Sequence, residues 1–173
     1  MFALGYVEPW IFSIPGLKKA SLDRVYNLVR MEDENTSYQT LGPVSKMLNL
    51  IVRTVVDGKD SEAYKMHQIR RADFMWIGRQ GMMMTGTNGS QLWDIAFVTQ
   101  ALVESGIAEE PAQRDSLINA LHWLDNCQMQ ENPKYFEEAY RHPTKGAWPF
   151  STKEQGYTAV SYTHLTLSTI LRV

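Results

Sequence analysis

The 173-residue chain predicts an all-α protein built of helix–loop–helix units, and three observations carry that prediction. Apolar residues recur every three or four positions in segment after segment, the spacing that lines one face of a helix. Glycine, proline and asparagine stand between those segments, where helices start and stop. No two alternating segments joined by a tight turn read convincingly as a hairpin.

Residues 1–16 are aromatic-rich, and Pro9 and Pro15 prevent one continuous helix there. Leu22, Val25, Tyr26 and Val29 then predict a helix over about Leu17–Met31. Lys18 and Lys19 oppose its dipole, so packing must hold it. Glu32-Asp33-Glu34-Asn35-Thr36 reads as a solvated acidic loop, because no histidine or second carboxylate cluster stands beside it to complete a metal site. Gly42-Pro43 opens the next helix, with Val44, Met47, Leu48, Ile51 and Val55 as its apolar stripe and Asp57-Gly58 as its end. Ser61 caps a short helix to about Arg70, with Ala63, Tyr64 and His67 on one modest apolar face. Met82-Met83-Met84 predicts a short extended segment whose methionines fill an irregular gap.

The stretch Gly86-Thr87-Asn88-Gly89-Ser90-Gln91-Leu92-Trp93-Asp94 runs from a turn cluster into a helix. Asn88 is placed to cap it and Gln91 to reach back. From Leu92 to Val103 the helix is apolar on most of its circumference, which predicts a buried hub, and Gly106 ends it. Glu109-Glu110-Pro111 begins a helix to about Gln130, with Leu117, Leu121, Leu124 and Gln128 on one face. Asn132-Pro133 repeats the cap-plus-proline signal for a helix to about Arg141, and a loop from His142 to Thr152 follows.

Composition excludes several function classes. A net charge of -2 with 44% hydrophobic residues favours neither nucleic acid nor an acidic substrate. Cys127 is the only cysteine, so there is neither a disulfide framework nor a CxxC metal site, and a reducing compartment suits the chain. The opening Met1–Val7 lacks the basic region of a signal peptide. No run approaches the roughly 18 apolar residues that span a bilayer, which leaves open a protein lying on one leaflet.

Local chemistry is equally sparse. The four histidines are His67, His122, His142 and His164; His122 lies beside Trp123 on a helix with no second ligand read at helical spacing, so no metal site is expected. Gly86-Thr87-Asn88-Gly89 lacks the lysine and strand of a phosphate loop. Ser90 and Ser151 read as helix-start and turn residues, and Asp94 as a partner of the helix dipole. Trp93, judged by periodicity, fills a core.

Asp73-Phe74-Met75-Trp76-Ile77-Gly78, Gly81-Met82 and the stretch Gly86–Asp94 closely resemble the oxidosqualene cyclases of the lanosterol and cycloartenol synthase type. The resemblance is ungapped through its strongest part and extends from about Met1 to Thr158. It implies a stretch of an α/α barrel, a toroid of paired helices that bury their cores against neighbours, cut at both ends. Gln128 followed by Gly146 and Trp148 is similar to the family's Q…GxW repeat, in which glutamine bonds the next loop and tryptophan covers its helix. The implied activity is conversion of 2,3-oxidosqualene to a sterol or triterpene by proton-initiated carbocation cyclisation, without metal or other cofactor and without nucleic acid. The parent enzyme would be monotopic on intracellular membranes, the endoplasmic reticulum or lipid droplets.

Carried over onto matching positions, Trp93 and Phe150 are cation-stabilising wall residues and Val44 an apolar lining residue of the substrate pocket. The family's proton-donor aspartate, in a Val-Ser-Asp-Cys stretch, would follow Gln155-Gly156-Tyr157-Thr158. Here Ala159-Val160-Ser161-Tyr162-Thr163-His164 stands instead, so no catalytic residue carries over and the chain by itself is expected to be inactive. Residues 159–173 hold no acidic residue and resemble a translated sequencing adapter. They are expected to be a non-native tail to a family domain over 1–158. A rival reading is a non-catalytic helical-repeat module that binds a lipid or protein partner in an apolar groove.

Overall fold

The computed structural model describes Trp10 and residues 13–155, and within 13–155 it has five α-helices and one hairpin. In chain order they are α1 (Leu17–Asn35), α2 (Pro43–Asp57), α3 (Glu62–Arg70), β1 (Met75–Gly78), β2 (Gly81–Met84), α4 (Gln91–Glu104) and α5 (Pro111–Cys127). Single 3-10 turns lie at Arg71–Asp73, Ile107–Glu109 and Lys153–Gln155. The expectations for residues 1–9 and for the tail 159–173 fall outside the described residues.

Helix boundaries follow the local signals closely. Pro43 opens α2, whose N-cap Gly42 is bonded at its N–H by Ser45. Ser61 caps α3 by accepting from the Tyr64 N–H, and Pro111 opens α5. Gly106, at φ 77°, takes the left-handed turn just past α4.

Several expectations are overturned. The stretch Glu32–Asn35 is the last turn of α1 and not a solvated loop, since Asp33 points inward and is fully buried. A hairpin is present: β1 and β2 pair antiparallel, Trp76 opposite Met83 and Ile77 opposite Met82, across the two residues Arg79-Gln80. Gly81, at φ 107°, permits that tight reversal. Met82–Met84 is extended, but it lies exposed and fills no interior gap. Residues 134–140 form turns in place of the predicted helix, with Tyr135 and Tyr140 both at φ 55°. The reason is local: Asn132 Oδ1 accepts from the backbone N–H groups of Thr144 and Lys145 and so does not serve as a cap.

A further correction concerns which helix faces are inside. α4 is not buried all round; Leu92, Ala96 and Thr99 face inward while Phe97 and Val98 are exposed. Its start also differs: Ser90 holds the N-cap position and donates its hydroxyl to Asp94 without capping a backbone N–H, Asn88 donates to Gln155, and Gln91 accepts from Ser151 and does not reach back to a cap. On α2 the polarity is inverted. Val44 (69% exposed), Leu48, Ile51 and Val55 (79%) face outward, and Pro43, Lys46, Asn49 and Arg53 face inward.

The apolar core sits between α4 and α5, where Leu92, Leu124, Cys127 and Trp148 meet, with Ile95 and Trp123 at its edge. A second, polar interior lies where α1, α2 and α3 converge on Asp33, Lys46 and His67. Gln155, fully buried, joins distant connections by donating to the Thr40 carbonyl while accepting from Asn88.

Candidate functional site

Trp93 stands in the first turn of α4 and Phe97 one turn further along the same face, with ring centroids 5.6 Å apart. Phe150 reaches this pair from the loop after α5; its ring lies 5.8 Å from that of Trp93, the planes inclined at 57°. These distances are within the range in which aromatic quadrupoles attract.

Phe150 is held from both sides. On one side Trp148 is buried in the core and its Nε1–H donates to the Leu124 carbonyl of α5 at 2.8 Å. On the other, the buried Ser151 donates its hydroxyl to Gln91 Oε1 at 2.7 Å, at the first residue of α4. The loop reaching Trp148 is itself stapled to the end of α5. Gln128 Nε2 donates to the Gly146 carbonyl at 2.9 Å, the Met129 N–H to Ala147 and the Gly146 N–H to Met129. Gly146, at φ 83°, supplies the turn that lets these bonds form.

Of the three residues that the resemblance assigns to a substrate pocket, two meet. Val44 lies in the first turn of α2, where it lines an open cavity with Leu41, Leu48, Gly86 and Thr87; neither Trp93 nor Phe150 borders that cavity. His122 is exposed on α5. Among the described residues, no group of three or more His, Cys, Asp or Glu side chains gathers as metal ligands do. Nor is any described helix long and apolar enough to cross a membrane.

The polar interior escapes sequence reasoning. Asp33 Oδ1 accepts from Asn49 Nδ2 at 3.0 Å, while Oδ2 lies 3.1 Å from His67 Nε2 and 3.4 Å from Arg53 Nε, close but without hydrogen-bond alignment. His67 Nδ1 is 2.7 Å from Lys46 Nζ, which also donates to the Tyr38 carbonyl. Arg53 continues outward to Asp57 at 3.0 Å and to the Tyr26 hydroxyl, which donates to Asp57. Burial pushes the Lys46 ammonium down to about 8, against the pull of Asp33 and Asp73. One signal is present in the sequence: Lys46, Asn49 and Arg53 recur at helical spacing, a polar stripe opposite the apolar one.

No protein-family model matches the chain. Curated relatives do. Lanosterol synthase of Pneumocystis carinii is 46% identical over 161 residues, which is 93% of this chain and 22% of that protein. Lanosterol synthase of Aspergillus fumigatus is 48% identical over 147 residues, 85% of this chain and 20% of the relative. Protostadienol synthase A of Arthroderma gypseum is 37% identical over 171 residues, 99% of this chain and 23% of the relative. The chain thus spans about a fifth of the length of the curated relatives it matches.

Proposed function

Because the chain belongs to the oxidosqualene cyclase family, we propose that it forms part of the wall of a cavity in which 2,3-oxidosqualene is cyclised to a sterol or triterpene. In that reaction a proton opens the epoxide and a carbocation moves along the folded polyene. Water would quench such a cation, so the enclosing wall must exclude it and supply non-nucleophilic stabilisation. Ring faces do this, each contributing about 2 kcal/mol when desolvated. Trp93 and Phe150 are the residues assigned that role; Val44, which the resemblance gives to the same pocket, lines a separate open cavity on α2.

The observation that carries the reading is the Trp93–Phe150 pair at 5.8 Å, with Phe150 fixed on either side by Trp148 and Ser151. Epoxide opening also needs a strong acid. Tyr162 stands in place of the aspartate of the family's motif, displaced by one residue, and a phenol, with a pKa near 10, is too weak. This chain by itself is therefore inactive. Its parent needs no metal, since no diphosphate leaves, and lies monotopically on intracellular membrane, endoplasmic reticulum or lipid droplet.

The test is a chimera in which residues 13–155 replace the matching stretch of the Aspergillus fumigatus lanosterol synthase, assayed for cyclised product from 2,3-oxidosqualene. Trp93→Ala and Phe150→Ala should each slow cyclisation about 30-fold, the rate equivalent of one desolvated cation–π contact. Full activity in both variants, or product formed by the 173-residue chain alone, contradicts the reading.

A further inference from the structure

We infer that Gln91 is a positioning residue for Phe150, and that Gly89 is small because the Gln91 carboxamide lies across it. The inference rests on the cavity-wall reading above for its functional consequence, and on geometry alone for its structural part.

The two clamps on Phe150 differ in what they control. Trp148 ties the loop to α5, which fixes the loop's depth in the core. Ser151 ties it to Gln91, two residues before Trp93 in the same first turn of α4. The separation of the Trp93 and Phe150 rings is therefore spanned by one side-chain hydrogen bond and two short stretches of backbone. Trp148 also packs on Leu92 of α4, but that apolar contact is non-directional, whereas the Ser151–Gln91 bond is directional and fixes where the loop meets the first turn.

Gly89 gives an independent sign that the Gln91 rotamer is specified. A Cβ built there would lie 2.6 Å from Gln91 Cδ and closer still to Oε1 and Nε2. Any larger residue must displace the carboxamide that accepts from Ser151. Gly89 and Gln91 are both exposed, so the obstacle is the far end of a flexible side chain and not the core. Substitution at either position thus breaks the link while sparing the packing of α4 on α5.

The test uses three variants, measured in the 173-residue chain and in the lanosterol synthase chimera. Gln91→Leu removes the acceptor, Gly89→Ala displaces it, and Gln91→Glu retains an acceptor oxygen. In the chain, nuclear Overhauser effects between the Trp93 indole and the Phe150 ring report the paired geometry. Gln91→Leu and Gly89→Ala are expected to lower its population about fivefold, the equilibrium worth of one net hydrogen bond, and Gln91→Glu to preserve it. In the chimera the first two should raise the share of incompletely cyclised products at unchanged KM, with Gln91→Glu restoring the parent profile. Ring pairing unaltered by Gln91→Leu overturns the positioning role whatever the chimera does. Disruption of the pairing with no change in products overturns the cavity-wall reading, and with it the functional part of the inference.

Discussion

Lys46 Nζ lies 2.7 Å from His67 Nδ1, and neither side chain reaches solvent. An ammonium has no acceptor, so Nδ1 accepts and the imidazole carries its proton on Nε2, the nitrogen facing Asp33. Burial holds Lys46 down to about 8, from 10.5 when unfolded. Asp33 and Asp73 oppose the shift and Arg70 adds to it. Between those values the unfolded chain binds the extra proton, so this group makes stability rise with pH; below about 8 both states are protonated and the burial cost stands in full. Unfolding free energies at pH 7.5 and 10 should show that rise, and Lys46→Met should flatten it. An equal rise in the variant would assign it elsewhere.

Two acids of one short stretch should behave oppositely. Asp33→Ala removes the carboxylate that faces Asn49, Arg53 and His67 in the interior, and is expected to cost about 3–5 kcal/mol. Glu34 pairs with Arg30 one turn away at 2.8 Å, both partly exposed, so Glu34→Ala should cost no more than about 0.5 kcal/mol. Urea unfolding of the two variants settles the matter; similar costs would mean that the stretch is a solvated loop after all.

Inverted polarity on α2 makes a sharp distinction. Ile51→Lys and Val55→Lys place charge on its outward stripe and should change stability by about 0.5 kcal/mol or less. The same changes on a core face would cost several kcal/mol, roughly 2–5 for loss of the packing alone. Binding of a hydrophobic dye should fall in both variants, because contiguous apolar surface is what such dyes recognise.

Trp148 is expected to be the most sensitive residue of the loop after α5. Trp148→Phe keeps a ring in the core but deletes the donor to the Leu124 carbonyl, at a cost of about 1–3 kcal/mol. Trp148→Ala should cost about 3–5 kcal/mol. Gln128→Ala, whose bond to Gly146 is exposed, should cost less than either. A thermal-melting series ranks the three.

What the sequence by itself determined is what acts within one helical turn. Pro43, Ser61, Gly106 and Pro111 mark where helices begin and end, and the structure follows them because caps and fixed backbone angles act on the nearest four residues. Trp93 and Phe150 are singled out by resemblance, since periodicity alone makes Trp93 a core residue; Gln91 reads locally as a capping residue and Gly89 as part of a turn, and their link to Phe150 depends on Ser151, 60 residues away. Only the tertiary structure decided which face of α2 is inside. An apolar stripe normally faces the core, but Asp33 from α1 and His67 from α3 converge on Lys46, Asn49 and Arg53, and a buried charge cannot do without partners. The partners come from separate helices, so no local pattern could announce them. Asn132 makes the same point: its side chain can satisfy one set of backbone donors, and the choice between its own helix and the loop at Thr144 is made by which arrives in space.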